Sequence, residues 1–73
     1  MDYTLTKQDR TTLKRYERHL HNAIDGYVRG IYETDLNVIE PLYNKFGFYL
    51  ENRRCSTCVL GMLQFLGNKY FMK

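Results

Sequence analysis

The chain has no tryptophan, a single proline, two cysteines and no long run of apolar residues. With Pro41 as its one proline, nearly all of the chain is free to form helix. The two cysteines allow one intrachain disulfide, and in Cys55-Ser56-Thr57-Cys58 they stand too near each other to close a large loop. That excludes the disulfide framework of small secreted scaffolds. The longest apolar stretch, Val59 to Leu66, is interrupted by Gly61 and Gln64. It falls far short of the roughly 20 residues of a membrane span. Met1-Asp2-Tyr3-Thr4-Leu5 lacks the basic start and apolar run of a signal peptide. The chain reads as intracellular and soluble, with no membrane partner.

Acid is missing from one region. From Arg53 onward the chain carries Arg53, Arg54, Lys69 and Lys73 and no Asp or Glu. Residues 30–52 reverse this, with Lys45 alone against Glu33, Asp35, Glu40 and Glu51. Residues 1–20 are basic again through Lys7, Arg10, Lys14, Arg15 and Arg18, diluted by Asp2, Asp9 and Glu17. Two basic ends flank an acidic middle and give a net charge of +3. Such an arrangement suits a head-to-tail contact between copies, or balance within one chain.

What the chain has in quantity is tyrosine and phenylalanine, seven and four in 73 residues. A chain this short forms one domain and buries only about 60% of the surface its unfolded form exposes. Large rings help to fill so small a core, but seven tyrosines exceed what it holds. Tyrosine joins an apolar body to a polar tip, which suits interfaces.

The hydrophobic spacing predicts an all-α, three-helix domain. Thr6 caps the first helix with Asp9 three residues on, as in a capping box. Leu13, Tyr16, Leu20, Ala23, Tyr27 and Ile31 then recur at helical steps, and Gly30 supplies a stop. One long helix from Lys7 to Arg29 would measure roughly 34 Å. A short middle helix starts at Asn37, with Glu40 completing its cap and Gly47 ending it. A start at Thr34 or Asp35 instead would put a kink at Pro41. Phe48-Tyr49-Leu50 is too short to classify, and Glu51-Asn52-Arg53-Arg54 reads as a loop.

The third helix runs from Ser56 at least to Leu66 and is apolar on nearly every side. Such a helix has to be buried nearly all round. Two neighbours cover only part of it, so self-association, a protein partner or a larger assembly is expected to cover the rest. Tyr16 and Tyr27 on the first helix, with Leu60, Met62, Phe65, Tyr70 and Phe71 on the third, are the expected interface residues.

Chemistry is sparse by comparison. Cys55-x-x-Cys58 opens a helix, where the dipole and free N–H groups favour thiolate. A redox role needs a strand–helix–strand context that the pattern lacks. Zinc needs four ligands. Cys55 and Cys58 supply two, and His19 and His21 sit about 200° apart around one helix. A zinc site would therefore borrow a ligand from a second chain; otherwise the cysteines are small residues at a helix start, and no cofactor is expected. Lys14, Arg18, Arg53 and Arg54 are the candidates for an anion or nucleic acid, with Arg53-Arg54 the better pair because no acid is adjacent in the helix that follows. A solvated helix face accounts for the others. No acid pair or nucleophile–base set stands out, so no catalytic residue is assigned and an enzyme is not expected.

One segment carries a resemblance. Cys55-x-x-Cys58-Val59-Leu60-x-Met62-Leu63-x-x-Leu66-x-x-x-Tyr70-Phe71, after a basic loop and a short Tyr/Phe-containing helix, resembles small orphan proteins encoded by phages and prophages of gut Bacteroidetes. The resemblance implies a viral context, in the host-cell cytoplasm or the virion, and no functional residue. Two functions fit that context. One is a virion or assembly component, packing against itself or larger structural proteins. The other is a regulator or anti-defence factor that binds a host protein, nucleic acid or nucleotide.

Overall fold

A computed structural model describes residues 3–72; Met1, Asp2 and Lys73 lie outside the described residues. The chain is all-α. Its described residues form four helices, α1 (Lys7–Lys14), α2 (Glu17–Ile24), α3 (Glu33–Asn44) and α4 (Ser56–Phe71).

The expected long first helix is broken in two. Arg15 and Tyr16 donate to the carbonyls of Thr12 and Leu13, three residues back instead of four, and Tyr16 leaves helical geometry at φ −113°. Neither proline nor glycine causes this. The Thr11 and Thr12 hydroxyls donate to the carbonyls of Lys7 and Gln8 one turn earlier, a contact that bends helices. After the break α2 packs along α4, while α1 reaches the end of α4 through the Arg10 side chain.

Gly26, not Gly30, stops α2. At φ 102° it makes a Schellman ending: Gly26 donates to the Ala23 carbonyl and Tyr27 to that of Asn22. Tyr27 and Ile31 therefore leave the predicted stripe and lie in the following loop. α3 starts at Glu33, four residues before the expected Asn37, because the Asp35 carboxylate accepts the Tyr32 N–H and closes the first turn. Pro41 then falls inside the helix, where Asn37 loses its intrahelical donor; both residues are exposed, so water replaces it. Gly47 ends this region at φ 88°, as its position suggested.

α2 and α4 run antiparallel and form the central seam. The Gln64 side-chain amide donates to the Ala23 carbonyl at 2.9 Å, and the Tyr70 hydroxyl to Glu17 at 2.8 Å. Around this seam Leu13, Leu20, Ile39, Met62, Leu63 and Leu66 are fully buried, each stabilising the fold by about 2 kcal/mol. Here the sequence expectation needs correction. α4 buries Val59, Met62, Leu63, Leu66 and Gly67 within its own chain. Leu60, Phe65, Tyr70 and Phe71 on the same helix are only partly buried. The exposed positions of α4 are polar or small, at Ser56, Thr57, Gly61 and Asn68.

Candidate functional site

The expected site residues divide between core and surface. Tyr16 and Met62 are interior and present nothing to a partner. Tyr16, at the N-cap of α2, and Met62 join the buried cluster that holds Leu13 and Leu20. The other five lie at or near the surface. Tyr27 is exposed, and Leu60, Phe65, Tyr70 and Phe71 are half-buried. Phe48 and Tyr49, from the segment too short to classify by sequence, are among the most exposed rings, Tyr49 at 75%.

Apart from Tyr27, these residues fall into two groups along α4, which spans about 24 Å at 1.5 Å per residue. Over its N-terminal half and middle, the chain leaving α3 builds an aromatic knob. Phe48 stacks on Tyr43 with centroids 5.6 Å apart and meets the edge of Phe65 at 5.1 Å. That packing leaves Tyr49 projecting beside the exposed Glu51. Tyr43, Tyr49, Glu51, Cys58 and Gly61 line a shallow cleft there.

At the C-terminal end lies a groove of about 480 Å³ between α1 and the last turn of α4. Lys7, Lys14 and Thr11 form one wall, and Tyr70, Phe71 and Met72 the other. Arg10 ties the walls together by donating to the Tyr70 carbonyl at 2.8 Å and the Met72 carbonyl at 3.3 Å, which satisfies the end of α4. Phe71 is further held by His21, whose ring packs tilted against it with centroids 4.2 Å apart. Lys7 and Lys14 make no ion pair among the described residues.

The four anion candidates do not meet. Lys14 belongs to the groove just described and Arg18 to a different recess. Arg53 is already neutralised: its Nε bonds Glu40 at 3.0 Å, its Nη1 bonds Asn37 at 2.8 Å, and Glu33 lies 3.7 Å away. An acid adjacent in space, from α3, occupies the guanidinium for which the sequence showed no neighbour. Arg54 is exposed.

Cys55 caps α4 and both cysteines are free thiols. The Cys55 Sγ accepts from the Cys58 N–H at 3.3 Å and lies 3.2 Å from the Thr57 hydroxyl. Hydrogen bonds from the Cys58 thiol, the Thr57 hydroxyl and the Cys58 N–H hold the Cys55 thiol below its usual range. The bond to Cys55 and then burial push the Cys58 thiol up. Cys55 is therefore expected to alkylate first. Peptide mapping after brief iodoacetamide treatment near neutral pH should find the label on Cys55; equal labelling would refute the asymmetry. Among the described residues no three His, Cys, Asp or Glu side chains gather around one point. A metal on Cys55 and Cys58 would need ligands from outside this corner.

Among the described residues no helix is long and apolar enough to cross a membrane. Comparison with protein-family models, with curated proteins and with solved structures finds no match. The surfaces themselves carry the functional reading.

Proposed function

We propose that the chain is a non-enzymatic helical interaction module that packs head to tail against further copies of itself. The reading rests on one observation: two unlike and complementary surfaces lie at separate places along α4. The knob carries exposed aromatic rings tipped by the acid Glu51. The groove offers an apolar wall rimmed by Lys7 and Lys14. Aromatic anchors in a desolvated groove carry most interface energy, and opposite charges at the rim set register and approach. His21 packs tilted against Phe71.

Because knob and groove are different surfaces, filling one leaves the other open. Contacts of this kind propagate into rings or filaments. That suits a small phage virion or assembly component, a context supplied by the resemblance of the Cys55–Phe71 segment. The same groove would also receive an aromatic, acid-tipped segment of a larger structural protein.

Charge reversal tests the pairing. Lys14→Glu brings a second carboxylate against Glu51 of the next copy, and Glu51→Lys brings a second ammonium against Lys14. Each variant alone is expected to weaken self-association about tenfold. Mixed in equal amounts they regain it, because junctions between the two variants join opposite charges. Variants that associate as tightly alone as the original chain would place the interface elsewhere.

A further inference from the structure

Gly26 has a second consequence. By turning the chain back after α2, it lays residues 27–30 alongside the helix they have just left. The result is a recess of about 520 Å³ lined by Arg18, His19 and Asn22 from α2 and by Tyr27, Arg29 and Gly30 from the loop. Gly30, left-handed at φ 74°, brings the loop backbone close to the His19 ring.

The chemistry of this lining is one-sided. Two guanidiniums from different elements share it, and no Asp or Glu lines it. Neither arginine forms an ion pair or a side-chain hydrogen bond among the described residues. In this they contrast with Arg10 and Arg53, both engaged. The Tyr27 hydroxyl donates to Asn22 Oδ1 at 3.0 Å, which steadies a ring that is 49% exposed and leaves the Asn22 NH₂ as a donor. His19 keeps a buried Nδ1 without a partner. Donors outnumber acceptors, like charges face one space, and a flat ring stands beside them.

We infer that this recess binds a nucleoside monophosphate, with Arg18 and Arg29 on the phosphate and Tyr27 against the base. Planar guanidiniums match phosphate oxygens through paired hydrogen bonds, and an exposed tyrosine face stacks on any base. The volume lies within the usual span of small-ligand sites, roughly 300–1,000 Å³. One ring and one arginine pair measure out a single nucleotide. A longer strand would need further cations in line, but Lys14 belongs to the groove at the end of α4. This site is separate from the knob and groove, so it stands whether or not copies associate.

Amide chemical shifts test the assignment. Adenosine monophosphate is expected to move Asn22, Tyr27 and Gly30 with a submillimolar Kd, ahead of both adenosine and inorganic phosphate. Arg18→Ala and Arg29→Ala should each weaken binding about tenfold. Tyr27→Leu should erase the advantage over inorganic phosphate while keeping phosphate itself bound. All three side chains are exposed, so thermal midpoints should not move. The inference fails if no shift develops by about 10 mM nucleotide, or if the arginine variants bind as before. It fails equally if adenosine or phosphate alone binds as well, or if a short oligonucleotide binds more tightly than the mononucleotide.

Discussion

Asp9→Ala is expected to lower the unfolding free energy by about 3 kcal/mol, a large part of what a domain this size possesses. Asp9 starts as a local device. Its N–H donates to the Thr6 hydroxyl at 3.1 Å, and its carboxylate accepts the Thr6 N–H at 3.1 Å, closing the capping box of α1. The same carboxylate then takes the Tyr3 hydroxyl and, at 2.9 Å, the Lys45 ammonium beyond the end of α3. Three segments meet at one residue, itself only 3% exposed. Alanine would leave the Thr6 N–H, the Tyr3 hydroxyl and the Lys45 ammonium without their acceptor. Asp9→Asn keeps the shape without the charge and should fall between the two.

The same site sets a pH dependence. Burial alone would raise the Asp9 carboxyl, but hydrogen bonds from Tyr3, Lys45 and Thr6 outweigh it and bring the value to about 2. A folded value below the unfolded one means that stability is fully present above the ordinary carboxylate range and is lost as pH falls through about 4 towards 2. The loss should reach about 2 to 3 kcal/mol, read from urea midpoints across that window. Asp9→Ala should flatten this part of the curve. An equally steep acid slope in the variant would show that other carboxyls carry it.

Gly67→Val should cost about 3 kcal/mol. A Cβ at Gly67 would stand 3.3 Å from Ile24 Cδ1 and 3.4 Å from both Leu20 Cβ and the Leu20 carbonyl oxygen. Two of these three neighbours are anchored to the α2 backbone, so relief requires the seam to open. Gly67→Ala places the same crowding against a gain of about 1 kcal/mol in helix propensity, and the two should nearly cancel. Gly61 provides the control, being helical but with nothing within 4 Å of a Cβ. Gly61→Ala should raise stability by about 0.5 to 1 kcal/mol. If Gly67→Val melts where the original chain does, α2 and α4 do not approach as closely as described.

Local features were readable in the sequence. The Thr6–Asp9 box, the start of α4 at Ser56 and the stop at Gly47 each rest on residues within one turn of one another. Helical spacing likewise sufficed for the all-α class. What escaped depends on distance in space. The break at Arg15 and Tyr16 contains no helix breaker; it follows the turn in which the Thr11 and Thr12 hydroxyls bond the carbonyls of Lys7 and Gln8. Asp9 is visible as a cap but not as the meeting point of Tyr3 and Lys45, since Lys45 arrives from α3. Arg53 seemed free of acid because Glu33 and Glu40 belong to another element. The Arg18–Arg29 pair was invisible for a related reason, since the return of the loop after Gly26 creates it. Tyr16 and Met62 were assigned to an interface by counting surplus apolar residues, but both are buried in the chain's own core.

Association would join the aromatic knob beside α4 to the basic groove at its C-terminal end. Molar mass by light scattering, followed from micromolar to millimolar protein at low and high salt, tests it most directly. The account predicts a mass that grows past the dimer with no plateau there, and falls back towards the monomer as salt screens Lys7, Lys14 and Glu51. A monomer throughout, or a dimer that stops growing, would contradict it.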